Sequence, residues 1–459
     1  MNDELFPDLE RTTPPPKAHA DVAPRVARAN RRQTELRPTD LESLLPEDHR
    51  ARIVWSFVEQ LDLTPLYAEV RAVAGGAGRP AIDPMILMAL WLYATLDGVG
   101  SARQVARLCR ESDPYRWICG GVGVNHHALS DFRVGHEAFL DGVLTKSVAS
   151  LLAVGAVTLK RVSQDGMRVR ASAGTGSFRR KKILKRCLAD AQAQVKALKR
   201  KLEDGVQGAS KSRVEAARLR AAKERAKRVK AALEEMPQIE EVKERNRKKA
   251  PGRHTSKDGG PSGDEAGSDD DKKTAARAST TDPDARVMKM ADNGFRPAYN
   301  VQYATDTESL VVVGVDVTNE GSDAKQMIPM LKQLKKRYGR LPDEYLVDGG
   351  FATVQAMAQV PDGCTVYGPV PPRKNKNRNP YLPLPNDPEK VAKWRVRMGT
   401  AKAKEIYKQR AASAEYTNAQ IRNRQLQQLR VRGRAKARCV ALWHALAQNF
   451  MRLPALTPT

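Results

Sequence analysis

The sequence predicts an α/β domain that is split by a helical insert and preceded by an all-α N-terminal domain. Three observations carry that expectation. Helical patterning without strand signals fills residues 39–158. Strand patterns begin at residue 159 and return near residue 299. Between them lies a long, charged, Ala-rich stretch of helical character.

Residues 1–38 are rich in Pro and charge and read as a disordered arm. They lack the apolar core of a signal peptide. In the helical region Asp83-Pro84 is a good helix start, with Asp as N-cap and Pro in the first turn, and the helix should end near Asp97-Gly98. Its apolar run, Met85 through Leu96, is too short to span a bilayer and reads as a buried core helix. Ser101 opens a second helix with Val105, Leu108 and Cys109 apolar, and a third apolar stretch closes the region at Gly155. Short helices joined by Gly turns suit a helix-turn-helix-like bundle, although any small helical domain shows the same pattern.

The run from residue 159 alternates around Val162, Met167 and Val169, as a half-buried strand does. Residues 180–250 form the basic insert, read as two long helices separated near residues 203–210. Residues 251–284 include GGPSGDEAGSDDDKK, which has no apolar anchor, and are expected to be a disordered linker. Strands are expected at 299–303 and 310–317, followed by a helix over 324–338 with Met327, Met330, Leu331 and Leu334 on one face. Further strands are expected at 344–347 and 365–370, before a basic helical end. The α/β domain is thus assigned to residues 159–179 and 285–452.

The chain of 459 residues carries a net charge of +26. Residues 179–249 hold 24 basic and 10 acidic side chains, and residues 387–438 hold 15 and 4, which leaves the remainder close to neutral. A localised excess of this kind fits surfaces that follow a phosphate backbone. The five cysteines show no C-x-x-C pair, so neither a zinc site nor a disulfide framework is expected. Nothing reads as a nucleoside-triphosphate loop. The chain reads as a soluble protein of the cytoplasm, with no membrane partner.

Asp165 lies in the strand VSQDGMRVR and Asp348 directly after the strand YLV, in VDGGF. A carboxylate beside Gly at a strand end can approach a metal and a phosphate without obstruction. Two such carboxylates from neighbouring strands make half of a Mg²⁺ site. Taken singly, an Asp-Gly pair more often marks a turn.

These residues and their surroundings resemble the DDE transposases of bacterial insertion sequences, in the broad IS-four/IS-five group with an RNase H-like catalytic fold. The resemblance includes the segment RPAIDPMILMALWLYATLDGVGSARQVARL, the block NHHALSDFRV, the strand with Asp165, TDPDARVMKM, NGFRPAYNVQYATD and VDGGF. In a C-terminal helix that family carries Y-x2-R-x3-E-x6-K, and this chain has Tyr407, Arg410, Glu415 and Arg422. The Arg-to-Glu gap is one residue longer than the pattern. On a regular α-helix that turns the two about 140° apart, and a π-bulge would restore their alignment.

The resemblance implies an enzyme that binds transposon ends and cleaves and transfers DNA strands at Asp165, Asp348 and a third acid, with two Mg²⁺ or Mn²⁺ ions. Glu405 and Glu415 both stand on the helix; the small residues Ala411, Ala412 and Ala419 around Glu415 favour it as the third ligand. Tyr407, Arg410 and Arg422 are expected to hold phosphates, and the helical domain together with Arg179, Arg180, Lys181 and Lys182 of the insert to grip double-stranded DNA. Cutting two ends in step implies a dimer on DNA. The rival reading is an inactive or domesticated transposase that only binds DNA. His126 and His127 read as a nucleotide-contacting turn or a cap, and His136 and His444 as structural. Asp284, Asp292 and Asp323 read as capping or supporting residues, and Trp91, Trp117 and Trp443 as core anchors.

Overall fold

A computed structural model describes residues 40–72, 80–203, 209–249, 275–373, 375 and 377–456. The arm assigned to residues 1–38 and the linker residues 251–274 lie outside the described residues.

The helical region contains α1 (Arg50–Glu59), α2 (Thr64–Tyr67), α3 (Pro84–Leu96), α4 (Ala102–Glu111), α5 (Asp113–Cys119), α6 (His126–Gly135) and α7 (Glu137–Ala153). Their starts follow side-chain caps. The Asp83 carboxylate accepts from the Met85 N–H at 2.8 Å, with Pro84 at the first position. Ser101 accepts from the Gln104 N–H, and Asn125 accepts from the His127 and Ala128 N–H groups at 3.0 and 2.9 Å. These bonds satisfy donors that a helix leaves open at its first turn. Nearly every residue of α3 is buried, as its unbroken apolar run requires.

The sheet is built from β1 (Arg161–Arg170), β4 (Arg286–Lys289), β5 (Phe295–Asp306), β6 (Val312–Thr318), β7 (Glu344–Leu346) and β8 (Thr365–Tyr367). Its order is β6-β5-β1-β7-β8, and β4 pairs the other half of β5 on the same side as β6. β5 is antiparallel to both β1 and β6, whereas β7 runs parallel to β1 and β8 parallel to β7. α10 (Met327–Tyr338) covers one face through Met327, Met330, Leu331 and Leu334, the side chains that its periodicity selects, and α11 (Val354–Ala358) and α12 (Glu389–Met398) follow it in the chain.

α15 (Arg434–Leu456) joins the two regions. It packs against α3, α6 and α7 on one side and β6 on the other. Trp443 Nε1 donates to the Arg133 carbonyl at 3.1 Å, and the Asn449 amide bonds both the N–H and the C=O of Val312, at 2.7 and 2.8 Å. Helical region and sheet therefore share one apolar core, from Leu45 to Phe450. Residues 39–158 do not pack as a unit apart from the rest, because α15 is apolar on both sides and needs cover from each.

Between β2 (Phe178–Arg179) and β3 (Ala278–Ser279) rise α8 (Lys181–Glu203) and α9 (Ala209–Lys249). They close on a small core of their own, built from Leu184, Val229, Ala232, Met236 and Ile239. Ala278 completes that core, and Ala278, Ser279 and Asp282 are fully buried. The disordered linker expected to reach residue 284 is corrected here: residues 275–284 are ordered, because Ala278 and Ser279 pair with Arg179 and Phe178. β4 is likewise a strand that the sequence reading did not expect. Among the described residues no helix is long and apolar enough to cross a membrane.

Candidate active site

β1 and β7 set the two aspartates side by side. Val162 lies opposite Tyr345 and Ser163 opposite Leu346 in the parallel ladder. Two residues further, Asp165 and Asp348 stand next to one another on the same face, since side chains repeat every second residue. The Asp348 Oδ1 accepts from the Gly350 N–H at 2.8 Å, which ties the turn after β7. Asp165 Oδ1 accepts from the Gly166 N–H at 2.9 Å. Gly166 itself is required: a Cβ there would lie 2.4 Å from Asp323 Oδ1. Asp323 takes donors from Asn300 at 2.6 Å and Gln302 at 2.7 Å, so it is a supporting carboxylate held against β1.

Across this face runs α13 (Ala401–Arg410), a π-helical turn (Ala411–Glu415) and α14 (Tyr416–Asn423). The π turn absorbs the extra residue between Arg410 and Glu415. Counted through it, Asn418 falls about 20° from Arg410 around the helix, and Glu415 about 40° from it. The geometry agrees. Arg410 Nη2 lies 3.7 Å from Asp165 Oδ1 and 3.8 Å from Asp348 Oδ2, a single guanidinium between two carboxylates. The Ser413 hydroxyl donates to Ser163 Oγ at 2.8 Å, and Asn418 Nδ2 donates to Asp165 Oδ2 at 2.9 Å. The Asn418 Oδ1 is buried with no partner.

Burial pushes the Asp165 carboxyl above its ordinary range; the Arg410 charge pulls the other way without cancelling it. Tyr407, half-buried nearby, has its phenol pushed up, also chiefly by burial.

Of the expected site residues, Asp165, Asp348 and Arg410 come together, with Tyr407 in the field of both carboxylates. Glu415 is exposed, and among the described residues its side chain makes no hydrogen bond or ion pair. Glu405 is exposed and paired with Lys408 at 2.8 Å. Among the described residues no three His, Cys, Asp or Glu side chains group closely enough to hold a metal. Arg422 is exposed on α14. Arg179, Arg180, Lys181 and Lys182 lie at β2 and the start of α8, where Lys181 faces Glu240 at 3.5 Å. Asn125, and not His126 or His127, caps α6. Trp91 and Trp443 are core residues, while Trp117 is half-buried and donates to Glu42 at 3.2 Å. Asn418 and Ser413 escaped the sequence reading. The signal was there only in the phase of the helix after the π turn.

Residues 39–134 match the family model described as Transposase domain (DUF772), and residues 272–450 match the one described as Transposase DDE domain. Together the two cover more than half of the chain, and the protein belongs to the DDE transposases of insertion-sequence type. That domain carries an RNase H-like fold, and the sheet above is mixed as it requires. No curated protein and no solved structure matches the chain.

Proposed function

We propose that this transposase binds the ends of its element and cleaves and rejoins DNA at Asp165 and Asp348, with Glu415 as the third acid. The observation that carries the reading is the parallel β1–β7 register, which sets the two carboxylates together on one face. The family is metal-dependent. The donors present fit a hard divalent cation: two carboxylates share one guanidinium as their nearest counter-charge, and the buried Asn418 Oδ1 has no partner. Asp165, Asp348 and Glu415 would hold two Mg²⁺ or Mn²⁺ ions. When bound, such ions supply activation of an attacking oxygen and stabilisation of the leaving one.

The chain's own residues do the rest. Gly349 and Gly350 keep the approach to Asp348 free of side chains. Arg410, once its carboxylates are otherwise engaged, is placed to bond a phosphate through its planar fork. Glu415, on the flank of the same helix, would reach the site from its rim. Glu405 stands five α-helical residues before Arg410, about 140° around, and faces away. In this reading residues 39–158 and the insert 180–250 grip duplex DNA, two copies act together on paired ends, and the protein works in the cytoplasm beside the nucleoid.

Asp165→Asn, Asp348→Asn and Glu415→Gln should each reduce nicking of an end fragment by more than the roughly 10–100-fold that outer partners of a metal command. Binding of the same fragment in a gel-shift assay should persist. Cleavage retained in both aspartate variants would end the proposal. Affinity should also fall with salt on a log–log slope of about −5 for six phosphate contacts. Removing residues 180–250 should flatten that slope.

A further inference from the structure

Away from Asp165 and Asp348, a polar cavity of about 1050 Å³ opens where α4, α6, the end of β1 and the loop after α14 meet. Its lining includes Arg103, Arg133, Arg170, Arg424, Arg430 and His444. Against these arginines stands one acidic lining residue, Asp97, whose carboxylate is engaged by the Tyr115 hydroxyl at 2.9 Å. None of the five arginines makes an ion pair among the described residues.

For the exposed arginines that is ordinary. For Arg133 it is not, since it is 7% exposed. Its guanidinium lies over the Trp91 ring at 4.8 Å and donates to the Gly100 carbonyl, while its Nε has no partner. His444, also 7% exposed, has an unpartnered Nδ1. An uncompensated buried cation costs free energy, and chains keep such a cost at sites of function. Burial, with Arg430 adding repulsion, depresses the Arg133 guanidinium to about 10, and His444 is pushed down to about 3, so it stays neutral. Two ten-residue helices begin at the same cavity, α4 at Ala102 and α6 at His126, and their N-terminal dipole ends add to its positive field.

We infer that this cavity is a phosphate-binding site for duplex DNA, with Arg133 as its floor and Arg170 and Arg430 at its rim. The inference rests on the reading of the chain as a DNA-cleaving transposase and adds a contact point remote from the cut. Arg170 is five residues along β1 from Asp165, roughly 17 Å at about 3.3 Å per residue. Duplex DNA advances about 3.4 Å per phosphate on each strand. Five such steps are about half a turn, so the end of β1 lies within one turn, about 34 Å, of a duplex bound at Asp165, although the Asp165 and Arg170 side chains leave opposite faces of the strand.

The test is fluorescence anisotropy of the full chain with a labelled DNA duplex in EDTA, where no cleavage interferes. Arg170→Gln with Arg430→Gln should weaken binding at least about tenfold at 0.1 M salt and make the salt slope shallower by about 2, near one unit per lost phosphate contact. The control is Lys332→Gln with Lys336→Gln, exposed residues of α10 outside the cavity that remove the same charge. Arg133→Met, which keeps the stem over Trp91, should weaken binding further; should it fail to fold, the rim pair decides. Equal losses in rim and control pairs would reduce the effect to net charge and overturn the inference. So would an unchanged slope in the rim pair. Competition by inorganic phosphate, with no difference between rim variant and wild type on DNA, would leave a free-anion site only and also overturn it. Failure of the wild type to bind DNA at all would instead strike the functional reading itself.

Discussion

The middle and the end of β1 pose opposite electrostatic problems. At Asp165 two carboxylates crowd one guanidinium, Arg410, with a buried Asn418 amide beside them. Five residues on, Arg170 joins arginines from three other segments, and Arg133 among them is buried with no carboxylate partner among the described residues. The first cluster has excess negative charge held in check from within. The second has positive charge that no carboxylate among the described residues neutralises. One strand thus offers a place for cations and a place for a polyanion. The difference is that the acidic site carries its own temporary counter-ion, whereas the basic one waits for its ligand.

The largest effect on folding should come from removing that internal counter-ion. Arg410→Gln leaves Asp165 and Asp348 facing each other without a cation. Loss of one partner in a tight buried ion pair costs about 3–5 kcal/mol. The spacings here are 3.7 and 3.8 Å and Asp348 is 37% exposed, so about 2 kcal/mol is expected, read by urea unfolding in EDTA. Mn²⁺ should then stabilise the variant more than the wild type, because an ion that binds the fold alone shifts its unfolding equilibrium. Equal stabilisation of both would mean that Arg410 does not stand in for a cation.

A smaller effect concerns acid. Burial holds the folded Asp165 carboxyl above its unfolded value, so the fold binds this proton more tightly than the open chain does. The stability that this group contributes is then fully present below the ordinary carboxylate range and is lost as pH rises through the folded value. Asp165→Asn should remove that dependence and raise the metal-free melting temperature at neutral pH. Divalent-ion stabilisation of the wild type should grow over the same interval, since the ligand must lose its proton to bind. A metal-free wild type that gained stability there, with the Asn variant tracking it, would contradict the burial argument.

How much of this was readable beforehand follows the range of each interaction. Helix starts were legible at Asp83-Pro84 and Ser101 because a cap acts within three residues. Asp165 and Asp348 were legible because each sits in its own strand pattern beside Gly. β3 and β4 were not: two and four residues give no alternation to detect, and the partner of β3 lies about a hundred residues back in the chain. Asn418 looked like a polar surface residue of a helix, and only the π turn at Ala411–Glu415 rotates it onto Asp165. The basic cavity escaped a count of charged stretches for a similar reason. Residues 103, 133 and 170 lie outside both basic stretches, and only the fold assembles them with Arg424 and Arg430.

The smallest effect on stability is the one that divides the acids of the C-terminal helix. Glu405 and Glu415 are both exposed, and an exposed pair such as Glu405–Lys408 adds little to folding. Glu405→Gln and Glu415→Gln should therefore melt with the wild type, so any change in function reports on chemistry alone. The two differ in phase. Glu415 lies one effective α-turn beyond Arg410 because the π turn consumes a residue, about 40° from it around the helix, whereas Glu405 stands about 140° from it. Glu415→Gln should weaken Mn²⁺ binding, measured calorimetrically without DNA, and abolish nicking; Glu405→Gln should change neither. Deleting Ala412 supplies the converse. With the bulge removed, α13 and α14 become one regular helix of three-residue spacing, in which Arg410 and Glu415 still share a face. Nicking by that variant should fall only modestly, whereas an α-helical rotation of Glu415 away from the site would abolish it. Full activity of Glu415→Gln together with loss in Glu405→Gln would transfer the third ligand to Glu405 and show that the helix turns over when metal binds.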